Sequence, residues 1–330
     1  MKRRPQYLDL VTRIAVILTI GAGMAAAIRP AGAQVTDRKF PAIYRLDKGS
    51  TYQTGCFDPC LCPVLVQTPV RGTFILTPAG SDPLFTYYNV SEVNWTVALG
   101  DPELRITGSG RYKIGGEFAL QQELTLALQI GDQPLQKFDS GLVTGSVVPF
   151  PQIALTVSMN NMVCNDTVLV LNASPVPLDQ IHPYRLARGS TFQRGCFGVC
   201  ECVLGPKLPL AGDFTLVDLD SNWLWTEFAV VNVRWAALSS TSGTLTPIPI
   251  RGAGLYRYGG DFALQQRLGL NLLVGTDPLT HYDSGLQLGG GTFPRIDSRI
   301  SINGEVCYDT VMEVHAGPRR IPRRGVRTAE

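Results

Sequence analysis

The chain has 330 residues, of which 17% are charged and 45% hydrophobic, and its formal net charge is +2. That balance excludes a disordered or collagen-like chain, and no stretch of 18 uninterrupted apolar residues marks a membrane-spanning helix. The positive charge sits at the two ends, five cations against Asp9 in residues 1–33 and five arginines against Glu330 in residues 318–330, so the body between is acidic and unlike a nucleic-acid-binding domain.

Residues 1–33 read as a signal peptide. Lys2, Arg3 and Arg4 open it, Ile14 to Ala27 form an apolar run, and Ala31-Gly32-Ala33 supplies small residues before Gln34. The run is too short and too rich in Ala and Gly to span a bilayer. No cysteine precedes Cys56, so there is no acceptor for an amino-terminal lipid anchor. The localisation expected is secreted or periplasmic, with no transmembrane segment in the mature chain.

From residue 34 the chain is written twice. Tyr44 to Cys62 (YRLDKGSTYQTGCFDPCLC) returns as Tyr184 to Cys202 (YRLARGSTFQRGCFGVCEC). Tyr112 to Leu124 (YKIGGEFALQQEL) returns as Tyr256 to Leu268 (YRYGGDFALQQRL), and Cys164-Asn-Asp-Thr-Val as Cys307-Tyr-Asp-Thr-Val. A period of this length is a whole domain rather than a solenoid unit. We divide the chain into a signal peptide (1–33), repeat 1 (34–175), repeat 2 (176–317) and a basic disordered tail (318–330). The duplication also acts as a filter. Residues kept in both copies serve the domain itself, whereas residues present once are candidates for copy-specific roles.

Within each copy, apolar residues alternate. Leu124, Leu126, Leu128 and Ile130 are matched by Leu268, Leu270, Leu272 and Val274, and Ile153, Leu155, Val157 and Met159 form a second such run, matched by Ile296, Ser298, Ile300 and Ile302. Period two marks strands with one buried face. Further strands are predicted at residues 72–76, 85–98, 104–114 and 167–171. Turns are predicted at 77–80, 100–102, 131–132 and 160–161. Many short strands with Gly and Pro punctuation predict two tandem all-β domains, each a β-sandwich or small β-barrel. The segment between the copies, 174–183, has three prolines and predicts a semi-rigid linker.

All eight cysteines lie in the repeats at matching places: Cys56, Cys60, Cys62 and Cys164, then Cys196, Cys200, Cys202 and Cys307. In an exported chain they predict about two disulfides per copy. A zinc site would need paired knuckles, and no histidine is shared by the copies, so no metal or cofactor is expected. Cys60 and Cys62 would share a strand face, so one of them should reach Cys164. The pairing predicted is Cys56–Cys60 with Cys62–Cys164, and Cys196–Cys200 with Cys202–Cys307.

Other motifs weigh structural against chemical roles. Gly108-x-Gly110 precedes a period-two run rather than a helix, which points to close strand crossing rather than a nucleotide loop. Asp139-Ser140-Gly141, its copy Asp283-Ser284-Gly285, and Asp166 with Asp309 suit turns and caps. One glutamine of each pair, Gln121-Gln122 and Gln265-Gln266, should face inward into a buried hydrogen-bonded network, and Trp95 and Trp235 suit cores. Trp223 and Trp225 give copy 2 an extra aromatic and are candidate ligand-facing side chains. His182, His281 and His315 face Ala42, Lys137 and Asn172 in copy 1, so no histidine triad belongs to the shared domain. Asn89, Asn94, Asn165 and Asn172 all lie in Asn-x-Ser/Thr triplets. Arg319, Arg320, Arg323, Arg324 and Arg327 could hold the protein to an anionic surface or glycan.

These features favour an exported, non-enzymatic structural or binding component of the cell surface or envelope. The alternative is a secreted carbohydrate-active hydrolase using paired carboxylates such as Glu117 and Asp139, which would have to converge in one cleft.

Overall fold

The structure, a computed structural model, describes residues 41–60, 66–100, 103–145, 148–241, 244–289 and 293–319. The predicted signal peptide and residues 320–330 lie outside them. Copy 1 forms β1 (Ala42–Leu46), β2 (Thr51–Phe57), β3 (Val66–Ser81), β4 (Phe85–Val97), β5 (Leu104–Gly115), β6 (Gln121–Ile130), β7 (Gln136–Asp139), β8 (Val143–Thr144), β9 (Ile153–Ser158) and β10 (Cys164–Pro175). Copy 2 repeats the series as β11 (Ile181–Leu186), β12 (Thr191–Phe197), β13 (Leu208–Ser221), β14 (Trp225–Thr241), β15 (Thr244–Gly259), β16 (Gln265–Val274), β17 (Thr280–Asp283), β18 (Gln287–Leu288), β19 (Ile296–Ser301) and β20 (Cys307–Pro318).

Each copy closes on itself. Antiparallel pairing runs from β2 through β3, β4, β5, β6, β7 and β9 to β10, and β10 pairs back to both β1 and β2. Strands β1 and β2 lie end to end along β10 and β3, so they form one stave with a break at residues 47–50. Ser50 mends that break. Its hydroxyl accepts from the Asn172 N–H at 3.0 Å and donates to the Asn172 carbonyl at 2.9 Å. Ser190 does the same at His315, which explains why Gly-Ser-Thr is kept in both copies. The result is a pair of up-and-down barrels, the second of the two architectures predicted. The weakest joint is β7 to β9, one bridge between Asp139 and Ser158, repeated at Asp283 and Ser301.

Apolar side chains point inward, the reverse of a bilayer-spanning barrel, whose apolar band faces out. Strand β6 alternates buried and half-buried along its whole length. Tyr44 stacks on Phe74, which meets Trp95 edge-on, and Tyr184, Phe214 and Trp235 repeat the arrangement, so each barrel has its own core. Among the described residues no helix is long and apolar enough to cross a membrane.

Two expectations need correction. The turn predicted at 77–80 is a bulge inside β3, where Gly80 takes a φ of 108° and the register slips. The chain reverses instead at Asp82, whose carboxylate accepts the N–H groups of Leu84 and Phe85. The disulfides also differ from the predicted pairing. Cys60 bonds Cys164, Cys200 bonds Cys307 and Cys196 bonds Cys202, with Cα separations of 4.9, 5.0 and 5.3 Å. Beyond β12 the chain folds back, with Gly195 bridging Leu204, so Cys202 lies beside Cys196 while the intervening loop carries Cys200 over the start of β20. Cys56 is also disulfide-bonded; Cys62 lies outside the described residues. Because the described cysteines are oxidised, they are not available as zinc ligands.

Candidate functional site

The shared polar residues are spent on the barrels. The Asp166 carboxylate, buried, accepts backbone N–H bonds from Met159, Asn160, Met162 and Thr167. Asp309 accepts them from Ile302, Asn303, Glu305 and Thr310. Asp139 takes the Gly141 N–H and Asp283 the Gly285 N–H, the turn role predicted for Asp-Ser-Gly. Tyr112 donates to buried Gln122 and Tyr256 to buried Gln266. A Cβ at Gly108 or Gly110 would strike the carbonyl oxygens of Ala127 and Thr125, so these glycines permit close strand approach.

The proposed hydrolase pair does not converge. Glu117 lies exposed in the β5–β6 turn, while Asp139 sits on β7, 2.9 Å from Lys137, in a cavity whose lining does not include Glu117. Trp223 is 85% exposed at the β13–β14 turn. Trp225 lies under the Arg257 guanidinium at 5.0 Å. Of the four glycosylation triplets, Asn94 is buried and donates to the Gly254 carbonyl at 2.6 Å, which removes it as an acceptor; Asn89 and Asn165 are exposed. The expected disordered tail does not begin at Pro318, because Pro318 closes β20 and the Arg319 N–H donates to Pro183; the other four tail arginines lie outside the described residues.

What the copies do not share gathers between them. The barrels meet through β1, β3, β4 and β5 on one side and β13 to β17 on the other. The Asn232 N–H donates to the Glu92 carboxylate at 2.9 Å. Arg71 reaches Glu103 and, across the interface, Glu227, at 2.9 and 3.0 Å. Arg45 donates to the Asp218 carbonyl and to Gln180 of the linker. Val217, Ala229 and Val231 face outward from barrel 2 and are buried with Val176 and Ile43. Copy 1 has Thr77, Asn89 and Ser91 at the matching places.

At this interface lies a chamber of about 80 Å³, lined from copy 1 by Arg71, Asn94, Thr96, Glu103 and Arg105, and from copy 2 by Glu227, Arg257, Arg267, Asn271, His281 and Asp283 among others. It shares Glu103, Arg105, Asn271 and His281 with an adjoining cavity of about 500 Å³. Most of these titratable side chains are copy-specific: Arg71, Arg105, Glu227, Arg267 and His281 stand opposite Ala211, Pro249, Tyr87, Glu123 and Lys137, whereas Asp283 matches Asp139 and Arg257 matches the cation Lys113. That substitution pattern is the signal by which the sequence could have located the site. The missing shared histidine argues only against a site built into each barrel, not against one between them.

The cluster is tightly coupled. Arg267 grips Asp283 at 2.7 and 3.0 Å, and Arg105 stands 3.8 Å from the same carboxylate. Burial pushes Asp283 up, but the hydrogen bonds from His281, Arg267 and Gly285 outweigh it and hold the carboxyl well below its usual range. Burial pushes His281 down, so it is neutral at pH 7, with the Asp283 contact opposing. Both ring nitrogens face oxygens, Nδ1 the Asn271 Oδ1 at 2.9 Å and Nε2 the Asp283 carboxylate at 3.3 Å, so the single N–H of a neutral imidazole serves one contact at a time. Burial also raises Glu227, against the pull of Arg71.

No protein-family model and no curated protein matches the sequence. A solved structure from Bacteroides fragilis, described as a proposed outer membrane protein, aligns over 84% of this chain and 97% of its own at 12% identity and a TM-score of 0.20, a likeness too slight to carry an inference.

Proposed function

We propose that the chain is an exported, non-enzymatic binding component of the cell surface or envelope, with its ligand held between the two barrels. The observation that carries this is the convergence of copy-specific charged side chains on one interdomain chamber, while the side chains common to both copies build turns and cores. Two barrels that only filled space would have no need of these charged side chains where they meet. The oxidised cysteines suit an exported protein, and residues 1–33 supply the address. Arginines beyond Arg319 would add weak, salt-sensitive attachment to an anionic surface, each contributing about 1 kcal/mol near an anionic membrane.

The test is a ligand panel of neutral saccharides, short peptides and small acids, read by thermal shift on the intact oxidised chain. At least one class should raise Tm saturably, and Asn271→Ala should remove the effect. A panel without any saturable response, or responses indifferent to Asn271→Ala, would overturn the reading. Salt-indifferent sedimentation with anionic vesicles, equal for the full chain and one ending at Arg319, would remove the tail from it.

A further inference from the structure

The charges lining the chamber do not balance. Arg71, Arg105, Arg257 and Arg267 face it against Glu103, Glu227 and Asp283. Nor are the carboxylates shared evenly. Glu103 and Glu227 both serve Arg71, and Asp283 serves Arg267 first, with Arg105 beyond hydrogen-bonding distance at 3.8 Å. Among the described residues Arg257 has no carboxylate at ion-pair distance; its guanidinium rests on the Trp225 ring. Trp225 thereby holds a cation in the chamber wall, although the indole itself was the predicted ligand contact.

Hydrogen-bond donors are left over as well. The Nε atoms of Arg71 and Arg257 are buried without a partner, and so is the hydroxyl of Thr96, a residue only 4% exposed. Each buried donor without an acceptor costs about 1–3 kcal/mol. Water could satisfy the hydroxyl; Asp132 in the adjoining cavity acts on Arg105, and Glu227, opposite Arg257 across β14 and β15, acts on that cation, yet neither carboxylate forms an ion pair there. A site with guanidinium donors left without carboxylate partners favours a delocalised oxyanion, whose oxygens match the planar N–H fork.

We propose that the chamber binds a carboxylate or phosphate group, with Arg257 and Arg105 as its cations and Thr96 as a hydroxyl partner. This rests on the chamber being the ligand site. The remainder of the ligand extends into the adjoining cavity, where Leu99, Leu104 and Leu279 offer apolar walls beside Thr107 and Gln129. The group is small, because a chamber of about 80 Å³ has room for only a few heavy atoms.

The experiment titrates the intact oxidised chain, at pH 7 and fixed low chloride, with inorganic phosphate, with acetate and succinate, and with glucose as an uncharged probe, following heat of binding and Tm. The expected result is saturable binding of phosphate or of a carboxylate, weakened at least tenfold by Arg257→Gln and by Arg105→Gln and less by Thr96→Val. Arg188→Gln, on an exposed loop away from the chamber, should bind as the wild type does. Binding of phosphate alone, or of the carboxylates alone, assigns the group. Near-UV circular dichroism verifies that each variant is folded, and the two arginine variants test the chamber independently of each other. Saturable binding of glucose that is lost in Asn271→Ala, with no anion response, would keep the chamber as the ligand site and overturn the anion assignment. Anion binding unchanged in both arginine variants would overturn it too.

Discussion

The backbone N–H of Asn232 donates to the Glu92 carboxylate across 2.9 Å, and these two residues occupy the same position in the two copies. Each is the extra residue of a β-bulge, at Val90/Val93 in β4 and Val230/Val233 in β14. Each has a left-handed backbone, with φ of 51° for Glu92 and 53° for Asn232. Asparagine tolerates that conformation and glutamate does so less readily. The barrels thus touch bulge to bulge. One bulge gives the carboxylate and the other the N–H, so a duplicated feature serves in two different ways.

Glu92 should show this in its pH dependence. Burial raises its pKa above the ordinary 4.5, opposed by the Asn232 N–H and by Arg234. The folded chain therefore holds this proton more tightly than the unfolded one. The resulting stability is fully present below pH 4.5 and is lost as pH rises through the folded-state pKa. Glu92→Gln keeps an acceptor for Asn232 without the buried charge. It should be at least as stable as the wild type at pH 7, with its advantage smaller at pH 4. Thermal unfolding at the two pH values decides; an equal deficit at both would contradict the account.

Asp166 and Asp309 are each bound by four N–H groups, which an asparagine cannot match because half of its head group is itself a donor. Asp166→Asn and Asp309→Asn should each cost about 2–3 kcal/mol. Asp139→Asn, less enclosed, should cost clearly less. Denaturant titration gives the ranking, and near-zero costs for the first two would show that the loops hold without them.

The disulfides should rank by loop length. Cys60–Cys164 closes 104 residues and Cys196–Cys202 only 6. In the chain-entropy model their removal costs about 4–5 and about 2 kcal/mol respectively. Paired Cys→Ser variants measured by denaturant unfolding test the order, which the opposite ranking would refute.

Each barrel has its own core, so residues 34–176 and 177–319 should each unfold cooperatively when expressed oxidised. They should differ in solubility, because separation uncovers Val217, Ala229 and Val231 on barrel 2 only. Replacing these with the copy 1 residues, as Val217→Thr, Ala229→Asn and Val231→Ser, should keep the isolated half monomeric in sedimentation. If the unmodified half is already monomeric and soluble, the patch does not hold the barrels together.

Much of this architecture is legible in the chain itself. Duplication reveals two equal domains, period-two alternation reveals strands such as β6, and matched residues such as Trp95 and Trp235 reveal the core, because these are local or self-comparing patterns. Turn chemistry is equally local, which is why Asp139 and Asp166 read correctly as turn and loop residues. The turn predicted at Thr77-Pro78-Ala79-Gly80 failed because the same residue types also make a bulge, and only pairing with β4 distinguishes the two.

Closure, connectivity and the chamber belong to the tertiary structure. Whether β10 returns to β1 and β2 depends on strand twist and stagger summed around the whole ring, which no window of sequence contains. Cys200 rather than Cys202 meets Cys307 because the chain folds back after β12, bringing together residues that spacing alone would not join. Arg105 and His281, 176 positions apart, become neighbours only because one bulged face of each barrel packs on the other. Sequence comparison of the copies marks them as different; packing alone decides that they are different in the same place.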